Sequence, residues 1–126
     1  MDEVQGRGTA GEISRRSVQL LREYTGRGPT KARTVISHDS VTVLLEDTLT
    51  RGERKLVENG LADHVLTGRH QYQLVMRADL VHVIEQETGR KVIAFMSDNH
   101  IDPDMAAEVF VLDPSADGDP RDTYEG

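Results

Sequence analysis

One phrase occurs twice in this chain and constrains its fold more than any other feature. Residues 23–37 read EYTGRGPTKARTVIS and residues 87–97 read ETGRKVIAFMS, so a helix-like run leads through Thr-Gly-Arg into a strand-like run both times. A glycine after a helical run can adopt the left-handed conformation that ends helices. We therefore predict that Gly26 and Gly89 close two helices. A third Thr-Gly-Arg, at residues 67–69, has no strand-like sequel and is not expected to act in this way.

The residues around the two phrases predict a two-layer sandwich of the α/β (α+β) class. The β-rich runs ARTVIS and VTVLLE flank turn-forming residues, and KVIAFMS and EVFVLD form a second pair of strands. Thr50 and Glu53 have the spacing of a capping box and predict a short helix that Gly60 ends. We expect a four-stranded mixed or antiparallel sheet with helices on one face. Because a helix followed by a hairpin occurs twice, the order also suggests a pseudo-duplicated unit.

The apolar pattern predicts how this domain is built and bounded. Residues 9–113 are expected to form one domain, while residues 1–8 and the acidic segment 114–126 are expected to be disordered because they have almost nothing to bury. The last two strands are apolar on both faces, which predicts central positions in the sheet.

The long helical stretch before the last two strands carries a wide apolar surface. Its stripe is formed by Tyr72, Met76, Leu80, Val83 and Ile84, and is widened by Leu74, Val75 and Val81. A stripe this wide, together with two open sheet edges, leaves surface to cover. We therefore expect a homodimer.

Composition excludes several functional classes. The chain has no cysteine, which excludes disulfides, thiolate catalysis and Cys-ligated zinc. Its net charge of −7 is concentrated towards the C-terminal end, and an acidic chain of this kind is not expected to bind nucleic acid. No run of about 18 apolar residues is present to span a bilayer, and the first ten residues do not resemble a signal peptide. We expect a cytoplasmic protein without direct membrane insertion.

Potential metal ligands recur at every second position near the end of the domain. They are Asp98, His100, Asp102 and Asp104. A His/carboxylate site for Mn²⁺, Fe²⁺ or Zn²⁺ would need a further ligand such as His38, and a calcium loop is disfavoured because Pro103 stands where glycine is needed. One interpretation is therefore a metal-dependent enzyme or a metal- or ligand-sensing module. The other is a loop in which Asp102 and Pro103 begin a brief helical turn.

No group of residues has the spacing of a catalytic site. Ser37, His38 and Asp39 contain the residue types of a hydrolase triad, but neighbours in a tight turn point apart and cannot form its chain of hydrogen bonds. We expect a protein that is not an enzyme and that has no cofactor.

Three motifs resemble the MpsC-like family of small bacterial proteins: TGRGP at 25–29, LLEDTLTRGERKL at 44–56 and SDNHIDPDMAAEVFVLD at 97–113. The resemblance covers residues 10–113 and implies a soluble accessory component of a sodium-translocating, membrane-potential-generating system. Such a component would act as a cytoplasmic adaptor or regulator that contacts membrane transport subunits or another protein. Four polar residues of these motifs at expected loop or cap positions form the candidate interaction surface. They are Arg27, Asn99, His100 and Asp102.

Overall fold

The structure, a computed structural model, describes residues 3–4 and 8–114. In chain order the elements are β1 (Glu3–Val4), α1 (Gly8–Thr25), β2 (Lys31–Ile36), β3 (Ser40–Glu46), α2 (Arg51–Glu58), α3 (Ala62–Thr88), β4 (Val92–His100) and β5 (Met105–Leu112). The predictions of disorder for residues 1–8 and 114–126 fall mostly outside the described residues. Within those two segments, Glu3–Val4 pairs as a short strand and Gly8 begins α1.

The strands form one sheet in the order β1-β2-β3-β5-β4. The four longer strands pair antiparallel with one another, and β1 runs parallel to β2 at the sheet edge. Helices α1 and α3 lie against one face of this sheet and against each other. The predicted two-layer sandwich of helices on a four-stranded sheet is confirmed, with β1 as an addition.

The prediction that both final strands are central is correct for β5 and wrong for β4. Strand β4 lies at the sheet edge, next to β5 alone. Its apolar residues on both sides had indicated burial on two faces. In the structure Met96, on the face away from the helices, is instead 53% exposed, and Ile93, at the register irregularity near the start of β4, is 57% exposed. The second apolar face of β4 is therefore part of an uncovered surface.

The core forms where alternating strand residues meet the helix stripes. The inward residues of β3 are Val41, Val43 and Leu45, and Phe110 of β5 lies beside Phe95 of β4 with ring centroids 5.0 Å apart. From the helices come Ile13, Val18, Leu21, Met76, Leu80 and Ile84. The alternation in β3 thus places its apolar side chains as the sequence predicts.

Only part of the wide apolar stripe of α3 is buried. Met76, Leu80 and Ile84 pack in the core, whereas Leu74 and Val75 are 60% and 66% exposed. Although α3 has 27 residues, the described part of the chain contains no helix that is long and apolar enough to cross a membrane.

The two predicted glycine caps are present at the ends of α1 and α3. Gly26 has a φ of 81° and Gly89 has a φ of 69°, both in the left-handed region. The amide of Gly26 donates to the carbonyl of Arg22 and that of Gly89 to the carbonyl of Glu85, each at 2.9 Å. Left-handed glycines thus end both helices, as the repeated phrase predicts.

The threonine of each phrase also makes the same contacts. The Thr25 hydroxyl donates to the carbonyl of Leu21 at 2.8 Å, and the Thr88 hydroxyl donates to the carbonyl of Ile84 at 2.7 Å. Each hydroxyl in turn accepts a hydrogen bond from the amide two residues later in the chain. The two helix-to-strand joints are therefore built alike.

The arginines of the two phrases reach the acidic residue that follows the second strand of each hairpin. Arg27 donates to Asp47 after β3, and Arg90 donates to the carbonyl of Asp113 after β5 at 3.2 Å. Arg90 also donates to the carbonyl of His38. Each joint thereby ties the end of a helix to the end of the hairpin that follows it.

The segment predicted to begin a helical turn at Asp102 is instead the tight turn of the β4–β5 hairpin. Residues 101–104 are turn residues, and the Asp102–Pro103 peptide bond is cis. An aspartate followed by proline is compatible with a helix start and with a turn. Pairing of His100 with Met105 across the hairpin leaves four residues to reverse the chain, too few for a helix with its cap.

The three Thr-Gly-Arg glycines offer a matched set of substitutions. We expect Gly26→Ala and Gly89→Ala each to lower the free energy of unfolding by roughly 1 kcal/mol, because alanine is strained in the left-handed region. Gly68→Ala should raise it by roughly 0.5–1 kcal/mol, since Gly68 lies inside α3 and no atom crowds its position for a Cβ. Urea unfolding of the three variants measures this difference. The same sign of change at all three positions would contradict it.

Candidate interaction site

The four residues of the candidate interaction surface lie at one end of the sheet. Glu46, the last residue of β3, pairs with Met105, the first residue of β5, so the β4–β5 turn is beside the end of β3. Asn99, His100 and Asp102 belong to this hairpin end, and Arg27 reaches it through Asp47. We call this region the 101–104 end of the sheet. The β2–β3 turn, residues 37–39, marks the opposite end.

Asp47 connects the segments that meet at the 101–104 end. Its amide donates to the carbonyl of Asp104 at 3.0 Å, and its φ of 61° is left-handed, a conformation that aspartate tolerates better than most residues. Arg27 donates to the Asp47 carboxylate at 2.7 Å and to its carbonyl oxygen, and Arg54 of α2 donates to the other carboxylate oxygen. One residue thus contacts the exit of α1, the helix α2 and the β4–β5 turn.

Electrostatics keep the Asp47 carboxylate ionised. The hydrogen bond from Arg27 is the main cause that lowers the pKa of Asp47, with further lowering from Thr30 and from the charge of Arg54. Partial desolvation acts in the opposite direction and is outweighed. The side chain of Asp47 is 32% exposed, so its two arginine contacts are partly shielded from water.

Asp104 fixes the β4–β5 turn to the segment that leads into α2. Its Oδ1 accepts from the hydroxyl of Thr48 at 2.9 Å, and its Oδ2 accepts from the amide of Leu49 at 2.9 Å. Its side chain is only 15% exposed. The turn that carries Asp102 is therefore held against the body of the domain.

A buried arginine of α3 binds the first turn of α2. Arg69 of α3 is 3% exposed and donates to both carboxylate oxygens of Glu53, at 2.9 and 2.6 Å, and to the carbonyl of Thr48. Glu53 also accepts from the amide of Thr50 at 2.8 Å, while the Thr50 hydroxyl accepts from the amide of Glu53. The predicted capping box is confirmed. It is also bonded to α3 through Arg69, which sequence reasoning missed because residues 53 and 69 carry no local signal of contact.

A second buried acid lies on the helix-facing side of β5. Glu108 is 3% exposed, and burial raises its pKa to about 7. This rise in pKa is only partly offset by the side-chain hydrogen bonds with Ser97 and Gln73 and by the charge of Arg69. Alternation along β5 places Glu108 on the same face as Phe110, but a single acid in an apolar strand gave no indication of its environment. This carboxyl can therefore exchange a proton near neutral pH.

The structure does not bring His38 to the other candidate metal ligands. His38 lies in the β2–β3 turn, whereas His100 lies at the other end of the sheet, so the length of β3, roughly 20 Å, separates them. The Asp98 carboxylate accepts from the amide of Asn99 at 2.8 Å, and Nδ1 of His100 donates to the carbonyl of Pro103 at 2.8 Å. Among residues 3–4 and 8–114, no three His, Asp or Glu side chains are placed to hold a metal ion.

The 101–104 end presents polar side chains on a rigid base. His100 and Asp102 are exposed, and Asn99 and Arg27 are half-buried. Asp104 and Asp47 tie this end to the domain, so the backbone that carries the exposed side chains is held in place. Such a surface can recognise another protein with little loss of conformational entropy.

Asp47→Asn should lower the free energy of unfolding at neutral pH by roughly 1 kcal/mol, because asparagine keeps the left-handed backbone but loses both charged contacts. The folded-state pKa of Asp47 is lowered, so the stabilisation is present above the ordinary pKa of 3.8 and is lost as pH falls through the folded-state value. The difference between variant and wild type should therefore shrink in acid. Unfolding at several pH values measures it, with Asp39→Asn at the opposite turn as the control. A constant difference at every pH would contradict the account.

Glu108→Gln should raise the free energy of unfolding at pH above about 7, by an amount on the order of 3 kcal/mol. Its folded-state pKa lies above the ordinary value of 4.5, so the folded protein binds the proton more tightly and wild-type stability falls as pH rises between those two values. Glutamine has no such titration. Chemical unfolding from pH 5 to 8 measures the effect, with exposed Glu46→Gln as the control. A parallel pH dependence in wild type and Glu108→Gln would contradict it.

Comparison with known proteins identifies one family. A family model described as Na+-translocating membrane potential-generating system (MpsC) matches residues 8–114, which are the described helices and the four longer strands. No curated protein and no solved structure gives a significant match.

Proposed function

The chain belongs to the MpsC family, and we propose that it is a non-enzymatic accessory protein of a cation-translocating, membrane-potential-generating system. In this proposal it is a soluble, cytoplasmic homodimer that acts as an adaptor or regulator. It is held at the inner face of the membrane only by its partner, and the membrane transport subunits of the system are that partner. The observation that carries the proposal is the match of the family model to residues 8–114, nearly the whole described chain.

The 101–104 end of the sheet is the surface proposed for this contact. It carries three of the four polar residues of the family-like motifs on a single hairpin end, and the fourth, Arg27, contacts Asp47 beside them. Loops on a rigid scaffold are the usual location of recognition residues. The bonds of Asp104 to Thr48 and Leu49 supply that scaffold here.

The two side chains that suit an interface best are His100 and Asp102. Both are exposed, and the described hydrogen bond of His100 uses Nδ1, so a partner would be recognised through Nε2. Arg27 is less suited to a direct contact, because its guanidinium is already bonded to Asp47. We assign to Arg27 the task of holding Asp47, and through it the hairpin end, in place.

The experiment is a pull-down of the tagged protein from detergent-solubilised membranes of its own cells, with the bound proteins identified by mass spectrometry. Wild type should recover integral membrane transport subunits. The double variant His100→Ala/Asp102→Ala should recover at least about tenfold less, which corresponds to about 1.4 kcal/mol of binding free energy. The matched control is Ser37→Ala/Asp39→Ala in the exposed turn at the opposite end of the sheet, and it should recover the wild-type amount.

Melting temperatures of both double variants equal to that of wild type would show that neither change acts through unfolding. Equal loss of recovery in both double variants would contradict the placement of the surface. If wild type recovers no membrane protein, the adaptor function itself is contradicted.

A further inference from the structure

The sheet face that points away from α1 and α3 is apolar in its centre, and no described helix covers it. Strand registers arrange its side chains in four rows, three of which cross β2, β3, β5 and β4 and one of which crosses β3, β5 and β4. The two middle rows are Val35–Thr42–Val109–Met96 and Arg33–Leu44–Ala107–Asp98. The outer rows contain Ser40–Val111–Ala94 at one end and Lys31–Glu46–Met105–His100 at the other. We call this surface the open face.

An antiparallel sheet with one face in water usually carries polar residues on that face. The centre of the open face does not follow this rule. Val35 and Met96 are 51% and 53% exposed, and Leu44, Val109 and Val111 lie between them in partial contact with solvent. A contiguous apolar surface of this kind marks a contact with another molecule.

We propose that a second copy of this chain covers the open face, related to the first by a twofold axis that runs parallel to the strands between β3 and β5. This axis places β2 of one copy over β4 of its partner and β3 over β5. It also keeps the two 101–104 ends on the same side of the dimer. The inference rests on the homodimer of the proposed function but not on any membrane partner.

Charge complementarity favours the second copy as the occupant. In the second middle row, exposed Arg33 lies at the β2 side and exposed Asp98 at the β4 side. The proposed axis reverses this row, so Arg33 of each copy faces the partner's Asp98. The dimer therefore contains two copies of one attractive pair, and a C2 interface requires this self-complementarity.

Side-chain size favours the same arrangement of one sheet over the other. With β3 over β5, Leu44 faces the partner's Ala107, and Val111 faces the partner's Ser40, so a large residue meets a small one in each case. Interdigitation of this kind fills the roughly 10 Å between packed sheets. A twofold axis across the strands would instead stack β2 on β2 and set Arg33 over the partner's Val35, a charge on an apolar side chain.

The test reverses each charge separately and then together, and measures self-association by sedimentation equilibrium. Wild type should dimerise. Arg33→Glu alone and Asp98→Arg alone should each weaken the dimer by about tenfold or more, because each homodimer then contains two like-charge contacts. A one-to-one mixture of the two variants should form a heterodimer near wild-type affinity, since both of its contacts join opposite charges. The double variant Arg33→Glu/Asp98→Arg should also dimerise near wild-type affinity, because both of its contacts again join opposite charges.

Controls separate this surface from other exposed positions. Arg51→Glu, on exposed α2, should leave the dimer unchanged. Val35→Asp should weaken it, whereas Val75→Asp, at an exposed position of α3 outside the open face, should not. Melting temperatures establish that each variant is folded.

A wild-type monomer at all concentrations would overturn the inference. So would single charge variants that dimerise like wild type, or a mixture that stays monomeric. If wild type is monomeric but still recovers membrane subunits in the pull-down, the dimer is contradicted and the accessory function is not. The two proposals can therefore fail separately.

Discussion

Asp47 is the residue at which most segments of the 101–104 end meet, and its ionised carboxylate anchors the exit of α1 and the helix α2. It joins Arg27 after α1 to Arg54 in α2, while its own amide binds the carbonyl of Asp104 in the β4–β5 turn. Segments distant in sequence therefore meet at a single residue. Its left-handed backbone is compatible with this position because aspartate tolerates that conformation. Without Asp47, the turn would keep its bonds through Asp104, but the exit of α1 would lose its charged anchor.

The layer arrangement explains why two surfaces of the domain suit partners. Helices α1 and α3 cover one face of the sheet, and all but one of the buried strand residues that meet them are apolar or small hydroxylated residues. The exception is Glu108, whose pKa of about 7 reflects the cost of ionisation in that layer. No helix of the described residues covers the open face, while the 101–104 end is polar and bonded to the body of the domain. We assign the first to self-association and the second to the partner, because apolar area favours a lasting contact and polar surface favours recognition.

The parts of the fold that depend on local chemistry could be predicted from the sequence. Gly26 and Gly89 cap helices because few other residues tolerate their backbone angles, and Thr50 with Glu53 starts α2 through bonds within one turn. Features that depend on distant partners could not be predicted. The edge position of β4 and the bonding of Arg69 to Glu53 follow from the packing of the whole sheet and helices, which leaves no short-range pattern. The residues of the candidate surface could be selected as polar loop positions, but their meeting at one end follows only from the strand order.

Amide hydrogen exchange is the measurement that tests the placement of the partner surface most directly. It compares the purified protein alone with the protein bound to detergent-solubilised membrane subunits, and reads protection along the backbone. The account predicts that peptides covering residues 99–104 become protected on binding, while those covering the β2–β3 turn at residues 37–39 do not change. Protection at residues 37–39 without protection at 99–104 would contradict it.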